Sequence, residues 1–129
     1  MELASRLVAD LGASDVRELS GGHQARVFEV LYGGGGRGIA KVVDASLVDA
    51  EMVARRVEVV NDLADLDRRV CRPLPINGHL VARIGVGDFV GLVTCYEFAD
   101  GVAMDPSNSG DARRMGQVLS QLHDSIAFR

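Results

Sequence analysis

The chain carries no run of lysine or arginine, no long apolar stretch and no closely spaced cysteines, and each absence removes a class of function. Fourteen basic residues stand against eighteen acidic ones, for a net charge of −4. Without a basic patch in sequence there is no electrostatic footprint for nucleic acid or for an anionic membrane surface. Met1 leads into Glu2-Leu3-Ala4-Ser5-Arg6, which has neither the basic flank nor the apolar core of a signal peptide. Nothing later is long and apolar enough to read as a membrane span, so a cytoplasmic protein is expected. Cys71 and Cys95 are far apart and fit no C-x-x-C or Cys/His metal spacing. They read as free thiols and small buried hydrophobes. What is present is a 129-residue chain with 47% hydrophobic residues, enough for one domain with a core.

Leu3, Leu7, Val8 and Leu11 share a helical face, and Gly12 stands where a C-terminal cap is needed, which predicts a short opening helix. From Val16 to Leu31 the residues suit two strands separated by Gly21-Gly22. In the second, Ala25, Val27, Glu29 and Leu31 alternate with Arg26, Phe28, Val30 and Tyr32. The glycines from Gly33 to Gly36 lie between strand patterns, precede no Lys-Ser/Thr pair and open no helix. They therefore read as a hairpin tip rather than a P-loop. Ile39-Ala40-Lys41-Val42-Val43 is a strand with one lysine. Ser46-Leu47-Val48-Asp49 reads as a capping box for a helix of about five turns ending at Leu66, with Val53, Val57, Val60 and Ala64 on its apolar face. Pro73 and Pro75 begin an extended connector. His79 to Val86 and Phe89 to Phe98 read as strands joined at Gly87-Asp88, the second apolar throughout and so central in the sheet. After a polar loop at Asp105 to Gly110, a last helix places Met115, Val118, Leu119, Leu122 and Ile126 on one face.

Exposed glycines upstream of a lysine held on a β-branched strand make a phosphate grip: the glycines let backbone N–H groups close over phosphate oxygens, and the lysine presents one fixed positive charge. Leu19-Ser20-Gly21-Gly22, Ala40-Lys41-Val42, Phe98-Ala99-Asp100-Gly101 and Leu119-Ser120-Gln121-Leu122-His123 occur in that order. The order and spacing resemble the amino-terminal lobe of the aminoglycoside phosphotransferase and choline kinase-like family, over Val16 to about Ile126. The resemblance implies an α+β kinase-like lobe: a mainly antiparallel five-stranded sheet with one packed helix, an N-terminal helix and a C-terminal linker helix. Residues 1–101 would form the nucleotide-binding lobe, and 102–129 a linker and helix leading to a carboxyl-terminal lobe outside this sequence.

By the same resemblance ATP is the cofactor, with Mg²⁺. Lys41 would hold the α- and β-phosphates, and the backbone of Ser20, Gly21 and Gly22 would cover them. Glu97, Phe98 and Ala99 would offer backbone groups to the adenine edge, and Val27 and Ile39 would sandwich the purine, although ordinary sheet core accounts for those two equally well. Glu58 would orient Lys41, whereas Glu51, one turn before Arg55, reads as half of a surface i, i+4 ion pair. His23 and Gln24 depart from the family's usual turn, and His23 reads as a solvent-facing turn residue. Gly87-Asp88-Phe89 precedes the crossover and is a hairpin turn rather than a metal motif. The family's catalytic Asp and metal ligands belong to a His-Gly-Asp type loop and a later Asp; this sequence has neither, and His123-Asp124 reads as structural. The implied activity is transfer of the ATP γ-phosphate to a hydroxyl of a small molecule by the complete protein, with no turnover from this segment alone. The competing reading is a non-catalytic module that docks a partner through its apolar last helix. That helix equally suits packing on the second lobe or self-association.

Overall fold

The computed structural model describes residues 3–19, 25–99 and 109–127, the side chains of 111 and 122–127 excepted. It opens with α1 (Leu3–Leu11), whose Leu3 and Leu7 are buried. Gly12 takes φ +64°, and the Ala13 N–H reaches back to the Val8 carbonyl at 3.1 Å, closing the helix as a glycine-terminated cap does. Strands β1 (Asp15–Leu19), β2 (Arg26–Leu31) and β3 (Arg37–Asp44) follow as an antiparallel meander. The glycine run is the β2–β3 hairpin tip, with Gly35 at φ +87°. Arg26 donates to both carboxylate oxygens of Glu18, at 2.8 and 2.7 Å, and fastens the ends of β1 and β2 together.

The next helix, α2 (Ala50–Leu66), starts later than the capping-box reading expects. Asp49 is its N-cap, accepting from the N–H groups of Glu51 and Met52 at 2.9 and 3.4 Å. Ser46 is not the cap, because both its N–H and its hydroxyl donate to Asp44 Oδ1, at 2.9 and 2.7 Å, in a turn leaving β3. A carboxylate at the positive end of a helix is favoured over a hydroxyl in the same role. At the far end the Asp67 N–H donates to the Leu63 carbonyl, and the Arg69 guanidinium and N–H beside Asp67 hold its carboxyl down at about 2. Arg69 also donates to Gln121 of α3 (Ser109–Ala127).

Strand β4 (Pro73–Leu74) is a further strand where only a connector was expected. Proline fits at the start of a short edge strand because no ladder N–H is demanded there. Strands β5 (Ala82–Val86) and β6 (Phe89–Glu97) form the anticipated hairpin, with Gly87 at φ +59°. β5 begins three residues after His79, because Asn77 and Gly78, both at positive φ, make a tight turn that closes on an Ile76–His79 bridge. The sheet runs β1-β2-β3-β6-β4, with β5 also on β6, and every pairing is antiparallel. β6 is the central strand its apolar sequence implied: residues 91–95 are all buried, with β3 along one edge and β5 then β4 along the other.

Odd and even residues of the strands face different things. Phe28, Val30, Ala40, Val42, Ile84, Val93 and Cys95 join Leu3 and Leu7 of α1 in one closed core. The opposite face carries Val27, Lys41, Val43, Leu92, Thr94 and Tyr96, and α2 lies over it across a gap. Cys95 is 2% exposed, and burial pushes its thiol up to about 11. From about pH 9, the thiol's ordinary value, to about 11, the unfolded chain gives up this proton while the folded chain keeps it. Stability is therefore intact below that window and falls as pH rises through it. Urea unfolding at pH 8 and pH 10 will show a lower midpoint at the higher pH, and Cys95→Ala will remove most of that difference. A thiol reagent added to the folded protein will label half-buried Cys71 well before Cys95.

Candidate functional site

The open face of the sheet is built in rows. Register aligns Val27 of β2 with Lys41 of β3, and Lys41 with Thr94 of β6; the adjacent rows are Glu29, Ile39 and Tyr96, and Val43 with Leu92. Two-residue alternation places all of these on one side. Between them and α2 lies a cavity of about 500 Å³, whose helix wall is Val53, Arg56, Val57 and Val60 and whose edge is completed by Ala25 and Val48. Lys41 is exposed at this cavity on an eight-residue strand paired along both edges, so its backbone is rigid while its ammonium is accessible. Glu29, the carboxylate on the same face, is 8% exposed and lies 3.4 Å from the Arg17 guanidinium.

The expected site residues fall in different places. Lys41 and Val27 both line the cavity. Ile39 is on the same face, half-buried, one row beyond the cavity lining. Ser20, Gly21 and Gly22 lie outside the described residues, as do His23 and Gln24. Glu97 ends β6, and its N–H donates to the Arg72 carbonyl at 3.0 Å. Phe98 follows with its ring 5.0 Å from the Arg37 guanidinium carbon, and Ala99 is exposed. Arg72 is also fastened to α2, donating to Asn61 Oδ1 at 3.2 Å and to Asp65 Oδ1 at 2.5 Å.

The structure does not bring Glu58 to Lys41. Glu58 is exposed, is not part of the cavity wall, and forms no ion pair with Lys41 among the described residues. At about 100° per residue, Val57 and Val60 lie within roughly 40° of Val53 around the helix, Arg56 about 60° away and Glu58 about 140° away. The valines fix which side of α2 meets the sheet, and that rotation brings Arg56 to the cavity instead. The signal was present in sequence, since Arg56 lies only about 40° beyond the edge of the arc that the valine spacing defines, and Glu58 about 100° beyond it. Glu51 pairs with Arg55 at 3.7 Å, as the i, i+4 reading expects.

No protein-family model matches the sequence, and no curated protein matches it. Among solved structures the chain aligns with an amicoumacin kinase, hAmiN, in complex with AMP-PNP, Ca²⁺ and Ami, with a TM-score of 0.59 at 20% identity. The alignment covers 67% of this chain and 26% of that one, so the match spans about a quarter of the length of that kinase. The likeness is one of fold: an antiparallel sheet with helices in the arrangement of a kinase-like amino-terminal lobe.

Proposed function

We propose, from this kinase-lobe fold, that the chain is the ATP-binding amino-terminal lobe of an aminoglycoside phosphotransferase-like small-molecule kinase, which passes the ATP γ-phosphate to a substrate hydroxyl. The observation that carries the reading is the row Val27–Lys41–Thr94 beneath an apolar cavity, on a sheet whose central strand runs out into Glu97, Phe98 and Ala99. A strand lysine facing an apolar cavity suits a ligand with a flat apolar end and a charged end. In this reading Lys41 takes the α- and β-phosphates, while Ser20, Gly21 and Gly22 cover them with backbone N–H groups. Val27, with Ile39 beyond it, faces the purine. The Glu97 N–H is already donated to Arg72, so the segment's donor to a base edge is the Ala99 N–H and its acceptor the Glu97 carbonyl.

The neighbour's bound AMP-PNP and Ca²⁺ support a nucleotide and a divalent ion as the cofactor kind. Among the described residues, no three His, Cys, Asp or Glu side chains are grouped to hold a metal. The ion, Mg²⁺ in this reading, would neutralise phosphate charge from ligands on a carboxyl-terminal lobe, and this chain's part is to bind and orient the nucleotide. No helix among the described residues is long and apolar enough to cross a membrane, which accords with a protein working on small molecules in the cytoplasm.

Titrating ¹⁵N-labelled protein with Mg-ATP tests the assignment. Binding is expected near millimolar, about −4 kcal/mol, because only one lobe of a two-lobed site is present. Shift changes should centre on Val27, Lys41, Thr94 and the 97–99 segment. Changes confined to the α1 side of the sheet, or none that saturate, would end the reading.

The last helix fits the same scheme as the face that meets a carboxyl-terminal lobe: Leu119 is 64% exposed on α3 and Met115 36%. Bared in this chain, it should drive weak self-association. Sedimentation at high concentration is expected to show a wild type heavier than Leu119→Lys; equal, monomeric values would remove the docking face.

A further inference from the structure

The cavity over Lys41 holds a second cation. Arg56 lines it from α2, opposite Lys41 on β3, and among the described residues no carboxylate lines it with them. Among the described residues neither Lys41 nor Arg56 has an acidic partner. The neighbouring Arg55 is drawn outward to Glu51, and the hydrogen-bond partner of the Arg56 guanidinium among the described residues is the sulfur of Met52, one helical turn back, at 3.4 Å. The rest of the wall is largely valine, with Leu92 and the Thr94 and Tyr96 side chains. Two like charges facing one cavity repel each other, and a bound polyanion turns that repulsion into attraction for both. The planar guanidinium fork also matches two phosphate oxygens at once, which an ammonium cannot do.

We propose that Arg56 is a phosphate-binding residue of this site, reaching from α2 to the polyphosphate that Lys41 holds from the sheet. α2 thus contributes a cation at the position where an acid was expected to orient the lysine. The inference rests on the nucleotide reading above and adds to it a charge requirement: affinity rises with the number of phosphates, and α2 contributes to that rise.

The test compares the 129-residue chain with Arg56→Gln, Arg56→Lys and Lys41→Ala, each titrated by NMR with ATP, inorganic tripolyphosphate and adenosine. Arg56 is exposed, so the thermal midpoints of its variants should stay within about 2 °C of wild type, which separates lost binding from lost folding. Arg56→Gln is expected to weaken ATP and tripolyphosphate about tenfold and to leave adenosine within about twofold, with Arg56→Lys in between. Unchanged ATP affinity in Arg56→Gln beside a loss in Lys41→Ala would overturn the role of Arg56 and leave the nucleotide reading standing. Arg56-dependent binding of tripolyphosphate, with no gain for ATP and none for adenosine, would keep Arg56 as a polyphosphate ligand and end the nucleotide reading. A wild type that binds neither anion would overturn both.

Discussion

Phe28→Ala is expected to lower the unfolding free energy by about 3–5 kcal/mol, the range for deleting a buried aromatic ring from a core that cannot collapse around the loss. Phe28 is 1% exposed at the middle of β2, with Val30 and Ala40 beside it and α1 closing the face above. Its neighbours sit on paired strands whose spacing is fixed by backbone hydrogen bonds, so they are poorly placed to move into the vacated volume. Against a total stability of roughly 5–15 kcal/mol, that loss will leave the variant partly unfolded at moderate urea or slightly raised temperature. Val27→Ala, one residue earlier and on the opposite face, provides the control. Val27 borders an existing cavity, so its truncation should cost only about 1 kcal/mol and should alter ligand binding instead. Comparable losses for the two variants would mean that the faces are not divided into a closed core and an open site.

Leu7→Ala is expected to cost about 2–5 kcal/mol and to free α1 from the sheet. Leu7 is fully buried. A nine-residue helix is too short to hold its shape in water by local hydrogen bonds, so α1 depends on what Leu3 and Leu7 bury. Hydrogen exchange should therefore report two effects in the variant: loss of protection throughout α1, and faster exchange in β5, which α1 touches. The β2–β3 ladder should be affected less. If α1 keeps wild-type protection, Leu7 is not its anchor.

Where one local signal settled the structure, it was legible in sequence. The opening helix with its Gly12 cap, the glycine hairpin between β2 and β3, the Gly87-Asp88 turn and the central position of β6 all follow from spacing or from turn chemistry. The capping box at Ser46 failed because Asp44, two residues earlier, takes both the N–H and the hydroxyl of Ser46 as its own donors, and Asp49 then offers the helix a charged acceptor. β4 escaped notice because two residues carry no periodicity; their strand state is conferred by β6. Glu58 was placed by its distance along the chain from Lys41, a one-dimensional measure. Which side of α2 meets the sheet depends on rotation, and there the apolar residues decide, setting Arg56 toward the cavity and Glu58 away from it. The α+β lobe emerged as anticipated.

α2 resembles a beam resting on two abutments. At one end Ala45 donates to the Val90 carbonyl just before the Asp49 cap, and at the other the Arg72 guanidinium grips Asn61 and Asp65 while its carbonyl holds Glu97. The clear span between these supports is the cavity. Its headroom is thus governed by the lengths of the two connecting segments, and only secondarily by side chains packed beneath the helix. Shortening or lengthening the connector after α2 by a residue would shift the roof over Lys41 without altering a single group that lines it, whereas the connector before α2 also carries Val48 of the cavity edge.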